Sequence, residues 1–117
     1  MDIHDLVHAL LAGDLLTARQ WVADAQRTRV GWQDLEQPVD LNEMEMSVAA
    51  AVVELLALRA GQMAPSWTTN VGAVRDLLVL DPGLEQMPRS FARAKVAGPE
   101  SLLKRNIIAL PDFLAVA

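Results

Sequence analysis

Ile3, Leu6, Val7, Leu10 and Leu11 recur at i, i+3, i+4, i+7 and i+8, which places all five on one face of a first helix. Asp2 is suited to cap its start and Gly13 to stop it. Asp14 directly follows that glycine and can cap a second helix, so a tight helical hairpin is expected. Its inner face would carry Leu15, Ala18, Trp21 or Val22, and Ala25, with Arg19, Asp24 and Gln26 opposite. The periodicity fails from Gly31 to Pro38, where Gly31, Trp32 and Pro38 predict a connecting loop with one helical turn at Gln33 to Glu36.

A third helix is expected from Leu41 to about Ala60. Asp40 and Glu43 have capping-box spacing, Val39 and Met44 the spacing of a hydrophobic staple, and Gly61 ends the run. Between Met46 and Leu58 the helix is apolar on nearly every face, the pattern of an element surrounded by others, and its alanines would admit neighbours closely. Beyond Pro65 the signals shorten. Trp67 is expected to pack back onto the third helix, Val71 to Leu80 fits either a helix or a buried strand, and Asp81-Pro82-Gly83 is a turn. Short helical pieces follow at Leu84 to Met87, at Ser90 to Val96, and from Pro99 at N1 through Leu102 to Arg105. Ile107 to Leu110, Pro111 and Phe113 to Val116 make an apolar tail that must be buried in this chain or a partner.

These elements define an all-α fold, a single helical domain over residues 1–117: an N-terminal hairpin, a long central helix and an irregular C-terminal half of short helices. With 117 residues, one core suffices. Aromatic residues are only 4%, so Leu, Val, Ala, Ile and Met must build that core, which favours helix packing over a sheet sandwich. There is no cysteine, and disulfides, thiolate metal sites, iron–sulfur clusters and thiol nucleophiles are thereby excluded. The opening Met1-Asp2-Ile3-His4-Asp5 lacks the basic n-region of a secretory signal, and the longest apolar run is broken by Ser47 and Glu54. A cytoplasmic protein without membrane contact is expected.

Charge divides the chain near Gly61 to Pro65. Residues 1–61 hold ten acids and four bases, whereas residues 62–117 hold five acids and six bases. Arg89, Arg93, Lys95, Lys104 and Arg105 stand together against Glu100 alone, and they are the candidate partner-binding residues. Phosphates would attract such a cluster, but only Phe91 is interleaved as a stacking platform, so nucleic acid is the second reading. An oppositely charged protein surface, or the acidic half of a second copy, is the more economical partner.

Three other constellations bear on chemistry. His4 and His8 share a helix face at i and i+4, as in zinc helices, yet Asp5 stands where the zinc-protease pattern needs Glu and no third His exists. Two solvent-facing histidines are the simpler reading. Glu43 with Glu45 and Asp34 with Glu36 have i, i+2 spacing, which points helical side chains apart. Glu54 interrupts an apolar helix, where burial would raise its pKa and fit it for acid–base work; the favoured alternative is that the helix shows its water face there. A small metal-dependent enzyme built on His4, His8 and Glu54 is the third reading. No cofactor, catalytic or metal-binding set is expected, since no phosphate loop, dinucleotide fingerprint or nucleophile elbow is present.

The segments Ala64-Pro65-Ser66-Trp67-Thr68, Val71-Gly72, Met87-Pro88-Arg89, Gly98-Pro99-Glu100-Ser101-Leu102-Leu103-Lys104-Arg105 and Leu110-Pro111-Asp112-Phe113-Leu114 resemble a group of short uncharacterised bacterial proteins. Leu11-Ala12-Gly13-Asp14 through Ala18-Arg19-Gln20-Trp21-Val22 is similar to their N-terminal stretch. Some members are encoded near nucleotidyltransferase-like toxins or related defence genes. The resemblance therefore implies an antitoxin or accessory role, and it brings no catalytic set with it. A non-enzymatic interaction or regulatory module is the resulting expectation.

Overall fold

The computed structural model describes residues 2–115, which are mostly helical. Helix α1 (Ile3–Leu11) and helix α2 (Leu15–Arg27) pack against each other, joined by a turn at Gly13, whose φ of 74° suits a residue without Cβ. The Asp2 carboxylate accepts from the His4 backbone N–H at 2.9 Å, and the Asp14 carboxylate from that of Thr17 at 3.1 Å. Both caps fall on the expected residues. On α2 it is Val22 that is buried with Ala18 and Ala25. Trp21 is half-buried at the edge, its indole N–H donating to the Asp2 carbonyl at 3.0 Å.

Helix α3 (Glu43–Arg59) starts two residues later than the capping pattern at Asp40 implies. Asn42 is the N-cap, and its side chain and that of Glu45 exchange hydrogen bonds with each other's backbone N–H, at 2.8 and 2.9 Å. Two boxes of the same spacing overlap in the sequence, Asp40 with Glu43 and Asn42 with Glu45. The second prevails because Asp40 lies at φ 61°, in the left-handed region, where it redirects the chain before the helix begins. Val39 and Met44 are both exposed, so they form no staple. Ten of the 17 residues of α3 are buried, and α1, the 3-10 turn Trp32–Asp34, the 3-10 segment Ser66–Asn70 and the later helix α5 all contact it.

After the 3-10 segment, the ambiguous Val71 to Leu80 stretch resolves into a loop ending in strand β1 (Leu78–Val79). A 3-10 turn at Leu84–Gln86, helix α4 (Pro88–Ala97) and helix α5 (Glu100–Leu103) lead to strand β2 (Ile107–Ile108). The strands are parallel, with Leu78 opposite Ile107 and Val79 opposite Ile108. The all-α expectation is corrected to this extent. A parallel pair needs a long crossover, and α4 and α5 supply it. Pro99 is the N-cap of α5 instead of its first helical residue.

The main core gathers the inner faces of α1, α2 and α3 with Ile107, Ala109, Phe113 and Leu114 of the C-terminal tail. The expected burial of that tail is thus found within this chain; Val116 lies outside the described residues. A smaller cluster of Leu84, Ala94 and Ile108 lies under α4. Among the described residues no helix is long and apolar enough to cross a membrane.

Candidate functional site

The basic cluster separates into two structurally different groups. Arg105 is only 3% exposed. Its Nη1 and Nη2 donate to Glu54 Oε1 and Oε2 at 2.8 and 3.0 Å, and further to the carbonyls of Ser101 and Thr68, each at 2.9 Å. Only its Nε lacks a partner. Lys104 completes the node with Nζ at 2.9 Å from Glu54 Oε1. One carboxylate therefore ties α3 to α5 and to the 3-10 segment, and Ser101 Oγ adds a bond to the Ala51 carbonyl at 2.8 Å. Arg105 is hence withdrawn from any partner-binding surface, and the Lys104 charge is already engaged.

The same geometry corrects both readings of Glu54. Burial pushes its carboxyl upward, but the hydrogen bonds from Arg105 and then Lys104 outweigh that and hold it at about 2. A carboxylate so strongly held in its ionised form is poorly matched to proton transfer near neutrality. Its pairing was discernible in the sequence, since a lone acid within an apolar helix needs a cation, and Lys104-Arg105 closes a later helical segment.

His4 and His8 do share a face, with ring centroids 6.4 Å apart, but they are committed separately. His4 sits between the Asp2 carboxylate, 2.6 Å from Nδ1, and the Val39 carbonyl. The Val39 carbonyl and then Asp2 raise its pKa. His8 Nε2 lies 3.3 Å from Glu45 Oε2, the capping-box acid of α3. Among the described residues no three His, Cys, Asp or Glu side chains are placed to share a metal ion, and Glu54 is engaged with α5 instead.

Arg89, Arg93 and Lys95 remain. All three are exposed on α4, which contains no acidic residue. Ala94 is its only buried residue. Arg89, Ala92, Arg93 and Val96, at i, i+3, i+4 and i+7, form an exposed stripe, and Val96 is 84% exposed. Lys95 Nζ stands 4.5 Å from the centroid of the Phe91 ring, so the one interleaved aromatic is already occupied by a neighbour on its own helix. The charges of this segment stand out in the sequence, whereas Val96 does not; the signal available was that Val96 shares its helical face with Arg89 and Arg93.

Comparison with protein-family models, curated proteins and solved structures finds no match.

Proposed function

We propose that this protein is a non-enzymatic interaction or regulatory module that binds an acidic surface of another protein through α4, in the manner of an antitoxin-like partner of a neighbouring gene product. The exposure of a short helix bearing three cations, no acid and an uncovered valine carries this reading. A helix of ten residues with one buried position contributes little to the core, so its outward stripe is available for recognition. Charge there steers encounter and orientation, and Val96 offers apolar contact at the C-terminal end of the stripe. The resemblance to bacterial proteins encoded near toxins supports the choice of partner.

The test is a pull-down of the product of the adjacent open reading frame with the wild-type chain and with Arg93→Glu/Lys95→Glu. Wild type retains the partner and the variant loses it while folding normally; equal retention by both would overturn the assignment to α4. A nucleic-acid regulator is a weaker reading, since three available cations give a salt slope of only about −3 at most, from about −0.9 per phosphate neutralised.

A further inference from the structure

A cavity of about 410 Å³ lies where the C-terminal ends of α2 and α3 meet, away from α4. Such a volume is within the usual range of about 300–1,000 Å³ for small-molecule sites. Val22, Ala25 and Leu56, all buried, give it an apolar wall, and Arg29, Arg59 and Trp32 line it too. No carboxylate lines it.

Three observations give this cavity a chemical preference. Arg29 is exposed, belongs to no ion pair among the described residues, and holds a φ of 52° just past the end of α2. Its N–H bonds to the Gln26 carbonyl and that of Val30 to the Ala25 carbonyl, the helix-ending pattern in which glycine is the favoured residue. Glycine would suit this backbone, so the side chain that arginine adds there is dispensable to the turn itself. Trp32 is 4% exposed, and its indole N–H has no hydrogen-bond partner among the described residues, whereas those of Trp21 and Trp67 donate to the Asp2 and Leu35 carbonyls. Arg59 is held in place by the Phe113 and Pro111 carbonyls.

The two helix ends bring partial negative charge, about half a unit each, and Asp112 lies near Arg59. In the last turn of each helix, however, the carbonyls of Ala25, Gln26, Ala57 and Leu58 already accept the backbone N–H groups of Val30, Arg29, Gln62 and Gly61. Arg29 is the lining arginine whose side chain makes no hydrogen bond or ion pair among the described residues, whereas Arg59 is held by the Phe113 and Pro111 carbonyls.

We infer that this cavity binds a small organic carboxylate with a flat apolar body, the body against Val22, Ala25 and Leu56 and the carboxylate answered by Arg29 and the Trp32 indole N–H. Titration of the full chain with 2-naphthoate, followed through the three indole N–H signals in two-dimensional NMR, tests it. A Trp32→Phe spectrum assigns the Trp32 signal. The expected result is a saturable shift of that signal with little change at Trp67, and binding by 2-naphthamide or 2-naphthylmethylammonium at least tenfold weaker. Arg29→Gly should lower naphthoate affinity at least tenfold while keeping or raising Tm, because glycine suits the left-handed position. If Arg29 serves only to offset the α2 dipole, Arg29→Gly leaves affinity unchanged. That outcome, equal binding of the three probes, or no saturable shift with naphthoate would each overturn the inference.

Discussion

Arg93 and Arg105 belong to the same basic stretch and have the same chemistry, yet one stands in water on α4 and the other is almost wholly enclosed. What separates them is the presence of a carboxylate at a distance along the chain. Arg105 faces Glu54, which interrupts the most deeply buried helix, and the pair satisfies in one stroke the acid of α3 and the carbonyls of Ser101 and Thr68. Among the described residues no carboxylate pairs with a cation of α4. A basic cluster in a sequence is thus two quantities added together, the cations that neutralise the protein's own acids and the cations left for a partner.

The largest effect should come from breaking the enclosed member. Arg105→Ala leaves Glu54 half-buried with only Lys104 beside it, and removing one partner of a buried pair costs about 3–5 kcal/mol. Replacing both, as Glu54→Met/Arg105→Met, should recover most of that loss, since an apolar pair of similar size avoids desolvating either charge. Urea unfolding followed by tryptophan fluorescence measures both. A single variant within about 1 kcal/mol of wild type would show that the node contributes little.

Acid probes the same node without mutation. The Glu54 carboxyl lies near 2 in the folded chain against an ordinary value of 4.5, so the unfolded chain binds the proton more readily. Stability from this group is therefore complete above about pH 4.5 and is lost as pH falls toward 2. The difference amounts to at most roughly 3–4 kcal/mol at about 1.4 kcal/mol per pH unit, reduced by whatever solvent reaches the pair. Denaturant midpoints from pH 6 to pH 2.5 should fall more steeply for wild type than for Glu54→Gln. Parallel profiles would assign the acid sensitivity to other carboxylates.

The attachment of α4 to the rest of the molecule depends on a smaller feature. A Cβ at Gly98 would lie 2.6 Å from the Ala94 carbonyl oxygen and 2.7 Å from that of Ala109, both backbone atoms that cannot rotate aside. Gly98→Ala should therefore shift α4 away from the tail and cost about 1–3 kcal/mol, the range for overpacking. Hydrogen exchange would then show faster opening at Ala94 and Gly98, whose N–H groups lie in the last turns of α4, with α1 and α2 unchanged. Uniform protection in both proteins would mean that the tail yields instead.

The elements readable from the sequence are those whose determinants are local. Asp2, Gly13 and Asp14 act within a turn of where they stand, and the apolar surround of α3 is visible in a single run of residues. The start of α3 was misplaced because two capping boxes overlap and the decision falls to the left-handed backbone at Asp40, which no side-chain pattern records. The parallel pairing of Leu78 with Ile107 was not legible because its partners meet only after the intervening α4 and α5 have folded back. The assignment of Arg105 to the partner-binding cluster failed for the same reason: its counterion is separated from it by most of the C-terminal half.

Charge reversal on α4 should have the smallest effect on the fold and the clearest effect on recognition. Arg93 and Lys95 are exposed, and neither contacts an acid among the described residues, so Arg93→Glu/Lys95→Glu should change unfolding free energy by less than about 0.5 kcal/mol per site. Loss of the Lys95 contact with Phe91 adds about 0.5–1 kcal/mol at that site, still well below the loss expected for Arg105→Ala. Binding to an acidic partner should instead weaken mainly through slower association, and the salt dependence of the wild-type rate should largely vanish in the variant. Stopped-flow association at two ionic strengths, beside a urea curve, separates the two quantities. A variant that loses stability as Arg105→Ala does would place Arg93 and Lys95 among the cations the fold itself consumes.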